Sequence, residues 1–518
     1  MPRTSSRKRM DFARLYSLVR LYIDPWLVGE NLRAKTTRGA ALLGGASFSE
    51  QAGRLARNML LTRLLAPSAF GTMAIVLSSS AIIGALSEVG LRVAVIRNPR
   101  GRESAYLNAA WWLSMGRGFG VYAICFVMAP WVARFYGNSG LSALLRVALL
   151  GALLEGAMSP RSCLPQKDMK FGRWAVISNG GAVCGVILTV ILSFVLRDVW
   201  ALAIGYCSEN AFRCLLSYIL CPGLPSLGWD RDAARDLLRY SRGAYGLSFL
   251  NLIFTRTDIF ILGKLYSPTA LGLYTMAVYL AQTPTGFIQN LVGSTLVPTF
   301  AQVQEDHQRI NRIVLEATSW LIVLGLPAVV FIWLYAPSLL SIIYGARYLK
   351  SAVPLSIAST VAILGILNGV ITDVFSAMGR PALHRRAVAA SAVIMIVAIY
   401  PACKLLGVVG GQLAALAAIG ASYLLQIMRI RKLTGLDLAR YAKAFVPAGL
   451  VSAVLICGGL SIRLLGLAKG NMAQIALGLC ACLLAYGICV PAVRRIKADS
   501  PNPIVKRLLA NMTQEETV

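Results

Sequence analysis

The stretch LTRLLAPSAFGTMA, residues 61–74, returns 201 residues later as LGKLYSPTALGLYT, residues 262–275. Five positions are identical in the two copies, among them Pro67 and Gly71, which correspond to Pro268 and Gly272. Proline is favoured at the first position of a helix, and a glycine in the next turn lets neighbouring helices approach closely. Each copy therefore predicts a tight turn between two helices, and the recurrence predicts that the chain contains two similar sets of helices.

The composition places these helices in a membrane. The 518 residues are 57% hydrophobic and only 14% charged, whereas soluble proteins have about 25% charged residues. Fourteen stretches approach or exceed the roughly 20 apolar residues that cross a bilayer as a helix. They are residues 39–61, 70–96, 105–133, 141–159, 174–196, 199–221, 241–262, 270–299, 314–336, 352–377, 387–406, 408–428, 442–463 and 472–493. The sequence thus predicts an all-α integral membrane protein with about 14 transmembrane helices.

The positive residues behind the net charge of +29 lie mostly on one side of the predicted membrane. Of the 51 Lys and Arg residues, 35 lie in the two terminal segments and in the connections on their side of the membrane. This positive-inside bias predicts that both termini are cytoplasmic. The same distribution argues against a nucleic-acid partner, since no single basic domain remains once topology is taken into account.

The two copies of the turn phrase are six helices apart and therefore lie on the same side of the membrane. Repeats of equal orientation build the two halves of several transporters. We therefore divide the chain into a first lobe of six helices, a linker, a second lobe of six helices and two further helices between basic tails. The boundaries are 1–38 for the N-tail, 39–221 for the first lobe, 222–240 for the linker, 241–428 for the second lobe, 429–493 for helices 13 and 14, and 494–518 for the C-tail.

Five stretches in order resemble a known family. They are LLAPSAFGTMAIV (64–76), RTDIFILGKLYSPTALGLYTMA (256–277), VPTFAQVQEDHQRI (297–310), IIYGARYLKSAVPL (342–355) and FSAMGRP (375–381). Together they resemble the polysaccharide transport proteins of the multidrug/oligosaccharidyl-lipid/polysaccharide exporter superfamily, the Wzx-type flippases of lipid-linked oligosaccharides. The chain departs from the family pattern where Ser68 replaces a frequent acidic residue and Tyr348 replaces a frequent tryptophan.

The resemblance implies two six-helix bundles around a central cavity in the bacterial inner membrane. It implies that the protein moves undecaprenyl-pyrophosphate-linked repeat units of an exopolysaccharide, capsule or O-antigen from the cytoplasmic to the periplasmic leaflet. The partners would be this lipid-linked substrate, membrane lipids, and the polymerase and chain-length proteins of the same pathway. No cofactor or metal is expected, because the Cys and His residues show no ligand spacing, although coupling to H⁺ or Na⁺ is open.

Charged residues inside the spans are the candidates for transport, because a charge at the bilayer centre is costly and usually faces a cavity or a partner. Those that we consider as substrate ligands are Arg54, Arg57, Arg117, Arg213 and Arg256. Arginine offers a planar fork of donors that suits pyrophosphate. For Arg54 the alternative is a pair with Glu50 four residues earlier, and for Arg57 it is an interfacial position reached by snorkelling.

The carboxylates inside the spans are candidates for ion coupling or for gates. They are Glu50, Glu88, Glu209, Asp258 and Asp373. Glu209 and Arg213 have the i, i+4 spacing of a helical ion pair, whereas Arg256 and Asp258 are two residues apart and point to different sides of their helix. Asp373 could contact Arg380 or Arg386 at a gate.

Two other functions are considered. An ion-coupled multidrug exporter of the same superfamily is the main alternative. A membrane enzyme that uses the same lipid-linked substrate is disfavoured, because the longest outer loop, about 337–351, contains no Asp, Glu or His.

Overall fold

The computed structural model describes residues 32–86, 90–168, 171–226, 228–242, 247–464 and 470–497. Within these ranges every regular element is a helix. The long helices are α1 (Leu32–Leu64), α2 (Pro67–Leu86), α3 (Ser104–Tyr136), α4 (Gly140–Gly156, interrupted at Leu149), α5 (Phe171–Leu196), α6 (Val199–Leu220), α7 (Leu247–Leu265), α8 (Pro268–Gln302), α9 (His307–Ile343), α10 (Ala352–Ala377), α11 (Pro381–Leu406), α12 (Val409–Thr434), α13 (Val446–Leu464) and α14 (Asn471–Lys497).

Each predicted span coincides with one of these helices, with three differences in the first half, the first of which is the interruption of span 141–159 at Leu149. The predicted span 70–96 is not continuous, because α2 ends at Leu86 and a separate helix, Leu91–Arg97, follows Gly90. Gly90 has a φ of 55°, a left-handed conformation that ends helices and that glycine adopts easily. The α1 helix begins at Leu32, inside the segment 1–38 that was expected to be a tail.

Seven of the helices are long and apolar enough to cross a bilayer, and α4 with the bent segment Pro160–Lys167 forms an eighth candidate. The seven are α3, α5, α9, α10, α11, α12 and α13. This confirms an all-α, multi-pass membrane protein, whereas the number of fourteen crossings stays a prediction. The α1 helix is not among them, which fits the three charges at Glu50, Arg54 and Arg57.

The two copies of the turn phrase meet in the fold. Pro67 begins α2 and Pro268 begins α8, where the Ser267 side chain also accepts a hydrogen bond from the Ala270 N–H. A Cβ atom built on Gly71 would lie 1.9 Å from the Pro268 carbonyl oxygen, and one on Gly272 would lie 1.8 Å from that of Pro67. The turns of the two hairpins therefore pack reciprocally at one end of the molecule, which we call the hairpin end.

Helix packing follows the same plan in the two halves. In the first half α1 packs on α5, α5 on α6, and α4 on α3 and α6. In the second half α7 packs on α11, α11 on α12, and α10 on α9 and α12. The halves contact each other mainly through α2 with α7 and α8, and through α1 with α8. This correspondence supports the division into two lobes, whose exact boundaries stay a prediction.

The segment between the halves contains a helix, Arg231–Arg242, where the sequence predicted only a linker. Its buried residues Ala233, Ala234 and Leu237 pack with the helix Leu91–Arg97 and the start of α3. The Asn98 side-chain amide donates to Asp236 at 2.6 Å and thereby ties the two segments together.

The last two helices pack on the second half. Both α13 and α14 contact α9 and each other. The Tyr486 hydroxyl donates to the Val323 carbonyl at 3.0 Å, and the Ser338 hydroxyl donates to Gln474 at 2.6 Å. They therefore form an addition to one side of the second half.

Candidate functional site

Four of the predicted charged residues form a single ion-pair network between α1 and α6. Arg54 pairs with Glu50 on its own helix at 2.8 Å and with Glu209 of α6 at 3.0 Å. Arg213 pairs with Glu209 at 2.8 Å and lies 3.7 Å from Glu50. The sequence predicted two separate i, i+4 pairs, and the structure joins them into one neutral cluster of two arginines and two glutamates.

A glycine motif on α5 makes room for this network. A Cβ atom on Gly181 would lie 2.3 Å from Cγ of Arg213, and one on Gly185 would lie 2.6 Å from Cβ of Glu209. Gly181 and Gly185 have the G-x-x-x-G spacing that lets helices in membranes pack closely. This motif is visible in the sequence, but our sequence interpretation did not use it.

Arg57 and Arg256 lie outside the network and face a common cavity of about 540 Å³. Arg57 comes from α1 and Arg256 from α7, so each half of the molecule contributes one. Within the described ranges neither guanidinium forms an ion pair, and the side-chain contact of Arg57 is a 3.3 Å hydrogen bond to Asn58. We call this space the cationic cavity.

Other residues that line the cationic cavity add polar groups near these charges. Gln51 and Asn58 come from α1, and Tyr279 and Gln282 come from α8. The Tyr279 hydroxyl is buried without a hydrogen-bond partner in the described part of the chain, and it lies close enough to Arg54 and Arg57 to interact electrostatically. The cavity thus offers neutral donors as well as cationic ones.

Asp258 also borders the cationic cavity but is held within the second half. Its side chain accepts hydrogen bonds from the Tyr274 hydroxyl at 2.6 Å and from the Ile259 N–H at 2.8 Å. Gln412 of α12 in turn donates to the Tyr274 oxygen at 2.6 Å. Asp258 and Arg256 form no direct salt bridge, but they lie close enough to interact electrostatically. Tyr274 and Gln412 come from other helices, so these partners could not be predicted from the spacing of residues along α7.

A second cavity, of about 480 Å³, lies next to the cationic cavity and shares Thr255 and Gln282 with it. Asp373 and His384 line this second cavity, together with side-chain amides and hydroxyls of α7, α8, α10, α11 and α12. The predicted contact of Asp373 with Arg380 or Arg386 is absent from the part of the chain that the structure describes. We call this space the amide-lined cavity.

Two predicted residues do not join these cavities. Arg117 lines a separate cavity of about 340 Å³ in the first half, together with Arg92 and Glu155. The structure therefore separates Arg117 from the central arginines with which the sequence had grouped it. Glu88 lies outside the described residues. Among the described residues no cluster of Cys, His, Asp and Glu is arranged to hold a metal ion.

Comparison with known proteins gives one family and several relatives. The model of the family described as polysaccharide biosynthesis protein matches residues 60–353. The lipopolysaccharide biosynthesis protein WzxC of Escherichia coli K12 is 22% identical over 66% of this chain and 69% of its own length. The succinoglycan biosynthesis transport protein ExoT of Rhizobium meliloti is 23% identical over 56% of this chain and 58% of its own length.

Solved structures show the same fold. The lipid II flippase MurJ in an inward closed conformation superposes with a TM-score of 0.71 at 12% identity, over 86% of this chain and 98% of MurJ. An inward-facing multidrug transporter of the MATE family superposes with a TM-score of 0.59 at 16% identity, over 80% of this chain and 98% of that one. The family match and the curated relatives confirm the resemblance to polysaccharide transport proteins, and the solved structures show the fold. The chain belongs to the family of polysaccharide biosynthesis proteins, and it has the helical transporter fold of MurJ and the MATE exporters.

Proposed function

We propose that the protein flips undecaprenyl-pyrophosphate-linked oligosaccharides from the cytoplasmic to the periplasmic leaflet of the bacterial inner membrane. The observation that carries this proposal is the pair Arg57 and Arg256, which face one cavity from the two halves without an ion-pair partner among the described residues. A pyrophosphate bears at least two negative charges, and two guanidinium groups suit it in charge and in hydrogen-bond geometry. The relatives named for lipopolysaccharide and succinoglycan biosynthesis support the same substrate class.

The ion-pair network indicates which of the predicted arginines are available to bind the substrate. Arg54 and Arg213 are neutralised by Glu50 and Glu209, so their charges are already compensated. Arg57 and Arg256 are the pair of predicted arginines whose charge remains available to a substrate in the cationic cavity. We therefore assign pyrophosphate binding to Arg57 and Arg256, and we assign Arg54 and Arg213 to the structure that positions α1 beside α6.

Transport would proceed by alternating access of the two halves. With both termini in the cytoplasm, the hairpin end is periplasmic. At that end the buried cluster around Leu61, Leu65 and Phe70 packs against Tyr344 and Tyr348. This packing supports the interpretation that the structure represents a state closed toward the periplasm. The sugars and pyrophosphate would cross inside the protein, while the prenyl chain stays in the membrane lipids, and the product would serve the polymerase and chain-length proteins.

Coupling to H⁺ or Na⁺ would need a carboxylate that is not already neutralised. Glu50 and Glu209 each pair directly with arginines, whereas Asp258 and Asp373 form no salt bridge within the described ranges. We therefore favour Asp258 and Asp373 over Glu50 and Glu209 as coupling residues. No other cofactor is part of the proposal.

An ion-coupled multidrug exporter remains the second candidate, because MATE exporters share the fold. Cationic drugs would require a carboxylate in the binding cavity, and Asp258 borders it. Because Arg57 and Arg256 line the same cavity, the charges of these three residues sum to a positive value, which repels such drugs and favours the anionic lipid-linked substrate.

The test is complementation of a strain that lacks its own flippase. We expect the double variant Arg57→Ala/Arg256→Ala to be present in the membrane at the wild-type level but to export less than a tenth as much surface polymer. Arg134→Ala, an exposed arginine at the end of α3, is the matched control and should export normally. Full export by the double variant would disprove the assignment. Resistance to cationic dyes without restored polymer would favour the multidrug alternative.

A further inference from the structure

The amide-lined cavity has a chemistry that differs from that of the cationic cavity. Its polar lining consists of Asn251, Thr255, Gln282, Thr285, Gln289, Asn368, Thr372, Asp373, His384, Ser391 and Ser422. No Arg or Lys is among the described residues that line it, and Asp373 is the one carboxylate among them. Its volume of about 480 Å³ falls within the range of small-molecule sites.

A buried amide in the wall of this cavity has a polar atom without a partner among the described residues. Asn368 is only 8% exposed, and its Oδ1 accepts no hydrogen bond, while its Nδ2 lies 3.5 Å from the Ser422 hydroxyl. An unsatisfied buried polar group is destabilising, and native structures contain few of them. Such a group in a cavity wall indicates a ligand that completes its hydrogen bonds.

The lining selects among ligand classes. Side-chain amides and hydroxyls each donate and accept hydrogen bonds, as sugar hydroxyl and N-acetyl groups do. A carboxylate accepts hydrogen bonds from hydroxyl groups and repels acidic groups. Phosphate would meet Asp373 without any compensating cation, so the lining disfavours it. A neutral, hydroxyl-rich ligand fits these groups.

The position of the amide-lined cavity also fits such a ligand. Thr255 and Gln282 belong to the walls of both cavities. The two cavities therefore adjoin, and the sugars of a molecule whose pyrophosphate is bound by Arg57 and Arg256 would lie beside the amide-lined cavity. We propose that the amide-lined cavity is the oligosaccharide subsite and that it selects neutral or N-acetylated sugars over acidic ones. This inference rests on the proposed function.

The test compares two probes on the purified full-length protein in lipid nanodiscs. One probe is undecaprenyl pyrophosphate without sugar, and the other carries a neutral N-acetylhexosamine disaccharide. We expect the wild type to bind the sugar-bearing probe more tightly. Asn368→Leu and Gln289→Leu should each weaken its binding by about tenfold and leave binding of the sugar-free probe unchanged. Ser376→Ala, exposed on the same helix as Asn368, is the matched control.

The outcomes separate this inference from the proposed function. If the wild type binds neither probe, the proposed function fails. If it binds both equally, or if the Asn368 and Gln289 variants retain wild-type affinity for the sugar-bearing probe, the subsite is disproved. A retained affinity of the Asn368 and Gln289 variants, accompanied by loss of Na⁺- or pH-dependent transport in Asp373→Asn, would assign this cavity to cation coupling alone and disprove the subsite. For the subsite, Asp373→Asn should keep neutral sugar binding and gain binding of a uronic-acid-bearing probe.

Discussion

Gly71 and Gly272 lie at equivalent places in the two copies of the turn phrase, and each packs against the carbonyl of the proline that begins the other's helix. The contact is reciprocal, as expected when a repeated element meets its own copy across an approximate twofold axis. A side chain at either position would overlap a backbone carbonyl, which cannot rotate away. The recurrence of the phrase is therefore explained by a contact that both copies must make, in addition to the turn that each forms.

Gly71→Leu or Gly272→Leu should weaken closure of the hairpin end, because the added side chain forces α2 and α8 apart. We expect a loss of about 1–3 kcal/mol of stability, measured by thermal unfolding in detergent. A cysteine introduced at the hairpin end should also react faster with a thiol reagent. Gly84→Ala, in the same α2 helix with open space around its Cβ position, is the control. Equal unfolding temperatures for the leucine variants and for Gly84→Ala would contradict the tight contact.

Glu209→Ala should be among the most destabilising changes in the ion-pair network. Glu209 is 6% exposed and contacts both arginines. Removing it leaves Arg54 and Arg213 to share Glu50. We expect a loss of about 3 kcal/mol, the lower end for a broken buried pair, because both arginine side chains keep about a quarter of their surface exposed.

The matched comparison is Glu209→Leu combined with Arg213→Leu, which removes one charge of each sign. Replacing a buried pair by apolar residues is often neutral, so the double variant should unfold at a higher temperature than Glu209→Ala. Thermal unfolding of purified protein measures both. A double variant that is less stable than the single one would show that the four charges do not act as a unit.

Gly185→Val should separate α5 from α6 and disturb the network without altering any charge. The Cβ position at Gly185 is only 2.6 Å from Cβ of Glu209, so the helices must move apart. We expect a loss of about 1–3 kcal/mol from this overpacking. Gly172→Val, on the same helix with open space around it, measures the effect of valine alone. Similar unfolding temperatures for the two variants would refute the role of the glycine motif.

The fold could be read from the sequence to a large extent because membrane insertion leaves a strong local signal. Apolar length predicted a helix at each of the fourteen stretches, and the repeated turn predicted two similar halves. The break before Leu91 was missed, because a single glycine in an apolar run resembles ordinary helix. The helix Arg231–Arg242 was missed because its apolar residues are few and its docking partner is distant in sequence.

The site was less predictable, since its decisive contacts join helices that are far apart along the chain. Spacing alone identified the pairs Glu50–Arg54 and Glu209–Arg213, but it could not show that Arg54 reaches Glu209. The same limit applies to Arg57 and Arg256, whose shared cavity depends on how α1 meets α7. Arg117 is likewise an arginine inside a predicted span, but tertiary packing places it in a separate cavity of the first half.

Tyr274→Phe should destabilise the second half of the molecule, because it removes a hydrogen-bond donor to Asp258. The change removes a 2.6 Å hydrogen bond to a buried carboxylate and also the acceptor for Gln412. We expect a loss of about 1–3 kcal/mol, seen as a lower unfolding temperature. Groups that act in one hydrogen-bond network show non-additive effects. In an Asp258→Asn background, which carries no charge to stabilise, the same substitution should therefore cost much less. Additive losses in the double variant would mean that the Tyr274 hydroxyl stabilises the fold through Gln412 and not through Asp258.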